Sequence, residues 1–362
     1  MKVCVFGLRG FPRVEGGVEK HCESLYSHIQ YDADITVLRR KPYVKSKEKY
    51  KNITFIDLIS TKIKGLEVVL HSFIATRKAA KLNPDVVHIH NIGPALFAKH
   101  LYKKGIPVVL TYHSPNYEHD KWGRIAKKIL LHCEKVALKY SSRIIFVNKY
   151  QMEKYPMNIQ QKSVFIPNGR KKAVITSNTN YLRKIGAEPG NYVLAVGRIT
   201  PEKGFDTLIR GFELTKKSGC KLVVAGGVEF ENNYMEELKS IASDDVIFTG
   251  YVEGDELAQL YTNAALYVLS SRNEGFPLVL LEAMSYGIDI LASDIPAAHL
   301  VELKKDDYFK CDDYRELSQK IKQRIANPVK RTYRLEKYDW NQVGEKTVKI
   351  YESLSHKSRG VN

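Results

Sequence analysis

No Cys-x-x-Cys pair occurs in the 362 residues, and the five cysteines (Cys4, Cys22, Cys133, Cys220, Cys311) are scattered and odd in number. That usage argues against a disulfide framework and against a zinc site, and for a reducing compartment. No uncharged apolar run reaches the roughly 18 residues that would span a bilayer. The start, Met-Lys-Val-Cys-Val-Phe-Gly, reads as a short apolar strand entering a glycine rather than as a signal peptide. The chain is therefore expected in the cytoplasm, or on a membrane from its cytoplasmic side. Short-period repeats and long low-complexity tracts are also missing.

Acidic charge is scarce. Forty Asp and Glu face 57 Lys and Arg, a net charge of +17. The imbalance is one-sided: residues 1–181 hold 32 basic against 13 acidic side chains (+19), and residues 182–362 hold 25 against 27 (−2). A field of that asymmetry suits an anionic partner, either nucleic acid or an acidic membrane face, although solvated lysines of a generally basic protein would look the same.

What is present is an alternation of short β-branched runs with helical patterns, the mark of α/β folds with buried parallel strands. Strands are predicted near Val3–Gly7, Ile35–Leu38, Thr54–Asp57, Val86–His90, Val108–Tyr112, Arg143–Val147 and Ser163–Ile166. In the second half they fall near Tyr192–Val196, Leu222–Ala225, Val246–Thr249, Leu266–Leu269 and Asp289–Ala292. At 362 residues two cores are expected. The polar stretch 170–190 reads as a linker between a domain over 1–169 and one over 191–339. Trp340 to Leu354 has helical apolar spacing, with a cap at Asp339 or Asn341.

Three loops carry candidate chemistry. The first, Gly7 to Gly17, places four glycines before a helix whose free amides suit an oxyanion. It matches neither Gly-x-Gly-x-x-Gly nor the P-loop, and a tight turn explains it almost as well. The second, Gly197-Arg198-Ile-Thr-Pro-Glu-Lys203-Gly204, follows a buried strand, so Arg198 and Lys203 arrive at its carboxyl end, where open α/β sheets place ligands. A planar guanidinium and a compact ammonium one loop apart fit a diphosphate. The third runs from Ser270 through Glu274-Gly275-Phe276-Pro277 to Glu282-Ala-Met-Ser-Tyr-Gly287. Glu274 is expected at the loop–helix junction and Glu282 inside the helix among Leu280, Leu281, Ala283 and Met284. A carboxylate in such surroundings needs partners, and vicinal hydroxyls of a sugar ring and a ribose would supply them. For Glu274 taken alone, a charge at a helix start near the macrodipole is the alternative.

Gly-Arg-Ile-x-Pro-Glu-Lys-Gly followed by Glu-Gly-Phe-Pro-x-x-x-x-Glu-Ala-Met-x-x-Gly resembles the retaining glycosyltransferases of family four. The Gly16-Gly17 loop, Asp85-Val-Val-His-Ile-His90, Thr111-Tyr-His113 and Ile166-Pro-Asn-Gly169 fall in the family's order, so the likeness covers nearly the whole chain. It implies the GT-B fold: two facing Rossmann-like doubly wound domains with the cleft between them, the donor on the C-terminal domain and the acceptor on the N-terminal one. By the resemblance, Arg198 and Lys203 contact the donor diphosphate, Glu274 (with Gly275 and Phe276 beside it) the transferred sugar, and Glu282 the ribose. Tyr251 and Val252 would lie beside the base, and Gly16 and Gly17 where the first loop meets the donor phosphates and the acceptor. His113 matches a cleft histidine acting on donor sugar or acceptor; read without the family it is equally a structural hydrogen-bonder. The final helix, 340–362, is implied to cross back to the first domain. One departure stands out: Gly287-Ile-Asp289-Ile-Leu-Ala replaces the family's Gly-x-Pro-Val-Val-Ala.

The activity so implied is retaining transfer of a hexose-type sugar from a nucleotide-diphosphate sugar, UDP-sugar ahead of GDP-sugar, to a lipid-linked or cell-surface glycan. No cofactor and no metal are expected, because Arg198 and Lys203 can stabilise the leaving phosphate. The literal Asp32-Ala-Asp34 reads as a strand-entry turn rather than a metal signature. Basic helical stretches at Lys121–Tyr140 (Trp122, Ile125, Ile129, Cys133, Val136) and Lys62–Lys81 (Leu66, Val69, Leu70, Phe73, Ile74) suit an anionic membrane, or are core faces with solvated lysines. The expectation is peripheral docking on the inner face of the plasma membrane, with no nucleic acid as partner. A nucleotide-sugar 2-epimerase on the same fold, or a non-enzymatic binder of nucleic acid or other anionic surfaces, are the alternatives.

Overall fold

The computed structural model describes residues 1–14, 16–44, 48–63, 65–115, 123–215, 219–228 and 233–359. Contacts divide the chain into two units, Met1–Gly169 with Lys337–Asn362, and Arg170–Glu336.

The first unit is built on a seven-stranded sheet: β1 (Lys2–Phe6), β2 (Asp34–Arg40), β3 (Ile53–Leu58), β4 (Val86–His90), β5 (Val108–Tyr112), β6 (Arg143–Phe146) and β7 (Ser163–Phe165), in the order β3-β2-β1-β4-β5-β6-β7. Every neighbouring pair is parallel. Central parallel strands covered on both faces are largely apolar, and β4 and β5 are wholly buried, with His88, His90 and Thr111 as polar exceptions that find partners inside. One face packs Val3, Val5, Ile35 and Val109 against helix Gly17–Ile29 and the final helix Trp340–Arg359. Asp339 Oδ1 accepts from the Asn341 amide at 2.8 Å, so Asp339 is the cap of that last helix. The other face packs Cys4, Phe6, Val87 and Leu110 against Ala75, Ala79, Ala98 and Ala137.

The second unit has six parallel strands, β8 (Tyr192–Val196), β9 (Lys221–Ala225), β10 (Val246–Gly250), β11 (Leu266–Leu269), β12 (Asp289–Ser293) and β13 (Tyr308–Phe309), in the order β10-β9-β8-β11-β12-β13. Helix Phe205–Glu213 and helix Tyr314–Ala326 pack together on the core formed by Val193, Leu222 and Leu266. Within the stretch 170–190, residues Asn180–Ile185 form a helix whose Tyr181 amide donates to Gln259 Oε1 at 2.8 Å.

The departure at Asp289 has a physical basis. Asp289 opens β12 almost fully buried, and so is Asp307. Arg331 reaches Asp289 Oδ1 at 2.7 Å and Asp307 Oδ1 at 2.8 Å, and Arg324 reaches the same oxygens at 3.1 and 3.0 Å. Two acids and two guanidiniums thus satisfy one another, and the buried charge is compensated.

Doubly wound sheets leave a crevice where strand order reverses, at the carboxyl ends of the two strands that diverge. In the first sheet this point lies between β1 and β4, and in the second between β8 and β11. The loops leaving β1, β8 and β11 are the three that the sequence singled out.

Candidate active site

In the second unit, the loop after β8 ends in a short turn of helix, Pro201–Lys203, and the loop after β11 ends at helix Leu278–Ser285. The two loops pack closely. Gly204 has φ +62°, and any Cβ there would collide with the Ser270 carbonyl, so the close approach requires glycine. Ser270 Oγ donates to the Lys203 carbonyl at 2.8 Å, and the Arg272 amide donates to the Glu202 carbonyl at 2.8 Å. Across this seam Lys203 Nζ donates to Glu274 Oε1 at 2.6 Å, and Ser271 Oγ donates to the same oxygen at 2.6 Å. The lysine and glutamate side chains are only 18% and 11% exposed, so the pair is largely withdrawn from water and strengthened accordingly.

Arg272 ties the arrangement down. Its Nη2 lies 2.7 Å from Asp206 Oδ2, its Nε lies 2.7 Å from Asp312 Oδ1, and its Nη1 donates to the Pro201 carbonyl at 2.7 Å. One guanidinium therefore joins both loops and the start of helix Phe205–Glu213. Its role was not read from the sequence, where Arg272 is one more charge in a polar loop.

The remaining second-unit candidates spread around this pair. Arg198 follows β8 and Gly197, and is exposed. Glu282 lies in helix Leu278–Ser285, half-buried, and accepts from Tyr261 Oη at 3.2 Å. Gly275 and Phe276 continue the Glu274 loop, with Phe276 buried. Tyr251 and Val252 leave β10, the edge strand; Val252 is buried, while Tyr251 is half exposed and donates to Glu253 Oε2 at 2.8 Å.

In the first unit, Gly16 precedes helix Gly17–Ile29 with φ +142°, and a Cβ there would run into the Glu19 carboxylate. Gly17 has open space where a side chain would stand. Glu19 is buried and accepts from the Arg9 amide at 3.0 Å, so the carboxylate holds the glycine loop in place; burial raises its pKa. His113 follows β5, half-buried, with Nε2 3.1 Å from His90 Nδ1.

His113 thus belongs to a buried polar chain that the sequence reading did not assemble. His90 Nε2 meets Tyr26 Oη at 2.7 Å, Tyr26 Oη meets His88 Nδ1 at 3.0 Å, and His88 Nδ1 meets Tyr351 Oη of the final helix at 2.6 Å. His88 Nε2 closes on Thr111 Oγ1 at 2.7 Å, and His21 Nδ1 on Asn168 Oδ1 at 2.7 Å. Burial lowers the His21 pKa to about 4 and that of His88 to about 3, and holds His90 and His113 well below the ordinary value. Asp32 and Asp34, in contrast, are exposed where the chain turns into β2.

The two basic helices differ from a simple core-facing reading. In Leu66–Leu82 the buried face is Glu67, His71, Ser72, Ala75, Thr76 and Ala79, whereas Leu66, Val69 and Phe73 are exposed. In Arg124–Tyr140 the buried residues are Cys133, Glu134, Ala137 and Leu138, whereas Ile125 (77% exposed) and Ile129 (53%) face water. Lys121 and Trp122 lie outside the described residues. No helix among the described residues is long and apolar enough to cross a membrane.

Residues 177–339 match the family Glycosyl transferases group 1, and residues 15–171 match Glycosyltransferase Family 4, so the two matches together span most of the chain. An uncharacterized glycosyltransferase of Methanocaldococcus jannaschii is 28% identical over 97% of this chain and 98% of its own length. The O-antigen chain mannosyltransferase RfbU of Salmonella typhimurium is 24% identical over 68% of this chain and 72% of its own. Among solved structures, Anabaena HepE in complex with UDP and glucose superposes with a TM-score of 0.72 at 16% identity, covering 99% of this chain and 98% of that one. At that identity the likeness is one of fold, and the fold is GT-B.

Proposed function

The chain belongs to glycosyltransferase family 4, the glycosyl transferases group 1, and from that premise we propose that it moves a hexose-type sugar, with retention and without a metal, from a nucleoside-diphosphate sugar to a lipid-linked or cell-surface glycan. A UDP-sugar is the favoured donor, in keeping with the UDP seen in HepE, and a GDP-sugar the second choice. The observation that carries the reading is the Lys203–Glu274 pair at the switch point of the second sheet. A cation and a hydroxyl-binding carboxylate are held there side by side, as a sugar phosphate requires.

In transfer, the bond from the anomeric carbon to the diphosphate oxygen breaks and a bond to the acceptor oxygen forms on the same face. The acceptor proton passes to the departing phosphate. Negative charge grows on the diphosphate as the sugar takes on oxocarbenium character, and Lys203 and Arg198 are assigned to that charge. Glu274 is assigned to the sugar hydroxyls, Glu282 to the ribose, and Gly275, Phe276, Tyr251 and Val252 to the rest of the donor. Gly16, Gly17 and His113 are assigned to substrate contact from the first unit. The surface-polysaccharide acceptor is supported by the O-antigen relative.

The basic first half supports docking on an anionic membrane at the inner face. Exposed Leu66, Val69, Phe73, Ile125 and Ile129 sit among Arg77, Arg124, Lys127 and Lys128, which is the composition of an interfacial helix.

A thermal-shift panel of nucleotide sugars identifies the donor, since a ligand stabilises only the state it binds. NMR of the product then reads the anomeric configuration, with and without EDTA. Stabilisation by one nucleotide sugar, retention and EDTA-resistant turnover are expected; an inverted product or loss of turnover in EDTA would overturn the mechanism.

A further inference from the structure

Three imidazoles converge at the carboxyl edge of the first sheet. His21, in the first turns of helix Gly17–Ile29, His90, at the end of β4, and His113, just after β5, each present a ring nitrogen, and these nitrogens lie within 4.8 Å of one another. His21 is buried, and its Nε2 has no hydrogen-bond partner. Its other nitrogen meets the Asn168 amide oxygen, which only accepts, so Nδ1 carries the proton and Nε2 is a bare lone pair in a buried place. Such an orphaned acceptor needs an explanation.

We propose that His21 Nε2, His90 Nδ1 and His113 Nε2 form a binding site for a divalent transition-metal ion, with Zn2+ the best fit and water as its fourth ligand. Three nitrogen donors and no carboxylate favour Zn2+, Co2+ or Ni2+ over Mg2+ and Ca2+. All three rings are held neutral by burial, the state that ligates. The outer partners are of the right kind as well. Asn168 Oδ1 on His21 and Tyr26 Oη on His90 sit on the nitrogens turned away from the cluster, where metal-binding histidines find an acceptor that fixes the ring. His90 Nδ1 and His113 Nε2, already 3.1 Å apart, share the single ring proton of His113, which moves to His113 Nδ1 when Nε2 takes the ion. Bonds of about 2.0–2.1 Å to each nitrogen require the three nitrogens, now within 4.8 Å of one another, to draw closer around the ion. His113 is half-buried and offers the way in. On the proposed transferase reading the ion engages His113 and so inhibits transfer reversibly.

The test uses the untagged full chain, stripped with EDTA and titrated with ZnCl2 by calorimetry at pH 7.5, with Co2+ as a spectroscopic substitute. One ion per chain is expected, with a dissociation constant of about 1 µM or tighter, the visible bands of four-coordinate cobalt, and no response to Mg2+. His21→Asn and His113→Ala should each weaken binding at least ~10-fold. His113 is the more exposed of the two, so that variant stands if His21→Asn fails to fold. Wild-type binding no tighter than about 100 µM, or unchanged affinity in a folded variant, would overturn the site. Neither readout needs sugar transfer: a chain that binds Zn2+ but transfers nothing retains the site, and one that transfers without binding Zn2+ loses only this proposal.

Discussion

Lys203 Nζ lies 2.6 Å from Glu274 Oε1, across a gap of 71 residues in sequence. Each neutralises the other before substrate arrives. A diphosphate entering beside Lys203 would compete for its protons, and Glu274 would be released toward sugar hydroxyls. On the proposed reading, donor binding would be coupled to the release of both side chains from each other.

Lys203→Ala is expected to lower kcat by roughly 100- to 1,000-fold, the loss typical of removing one donor to a developing oxyanion. Lys203→Arg should rescue little, because a planar fork does not replace a point charge in the same space. Steady-state kinetics with the donor found by thermal shift, alongside a melting curve showing the variant folded, makes the measurement. Near-normal turnover in Lys203→Ala would remove the lysine from the mechanism.

This pair marks the limit of what the sequence made legible. The strands were readable because parallel strands buried on both faces are near-continuous apolar runs, interrupted in Val86–His90 and Val108–Tyr112 by His88, His90 and Thr111. β13 escaped because two residues, Tyr308 and Phe309, carry no period. The glycines and acids of the two second-unit loops were readable as motifs, but their contact depends on β8 and β11 being neighbours, which local pattern does not encode. For His90 and His113 a signal existed: β4 ends in His90, His113 directly follows β5, and adjacent parallel strands deliver their ends to one place. Helix Leu66–Leu82 shows a further limit. Its apolar spacing defines a face, and the structure turns the other face, of Glu67, His71 and Ala75, inward.

Arg272 is expected to matter more than its position in a polar loop suggests. Arg272→Ala removes three short bonds and leaves Asp206 and Asp312 without their shared cation. The site is about one third exposed, so solvent screens part of the loss, and a cost of ~2 kcal/mol is expected. For a unit of this size that is roughly 4–8 °C in melting temperature. Because the same guanidinium anchors the Pro201 carbonyl, donor affinity should fall with stability. Unchanged donor affinity in Arg272→Ala would separate the clamp from the site.

Acid should destabilise the first unit through its histidines. His21 and His88 are neutral and buried, with folded pKa values lowered to about 4 and about 3, whereas an unfolded histidine titrates near ~6.5. Below that value the unfolded chain takes up protons that the native state refuses, so stability is complete above ~6.5 and falls as pH drops toward the folded values. Each histidine contributes at most ~1.4 kcal/mol per pH unit in that window. Urea titrations at pH 7.5, 6.0 and 5.0 should show the midpoint falling in wild type, and falling less in His88→Gln. A midpoint independent of pH across this range would contradict the neutral buried assignment.

Membrane docking, finally, makes a prediction that charge alone does not. Both basic helices pack against the turn Pro94–Phe97, and Phe73 touches Phe97 with ring centroids 5.5 Å apart, so the exposed apolar residues stand on a fixed base. Lys and Arg near an anionic surface contribute about 1 kcal/mol each, and salt screens them within about 10 Å at 0.1 M. Buried apolar area adds a component that salt does not weaken. Flotation with phosphatidylglycerol vesicles should therefore show binding at low salt, a remnant at high salt, and loss of that remnant in Ile125→Ser/Ile129→Ser. Lys127→Glu/Lys128→Glu should act oppositely, weakening binding at low salt and leaving the high-salt remnant. No binding to anionic vesicles at low salt would rule out the docking surface, and binding wholly abolished by salt would reduce it to electrostatics.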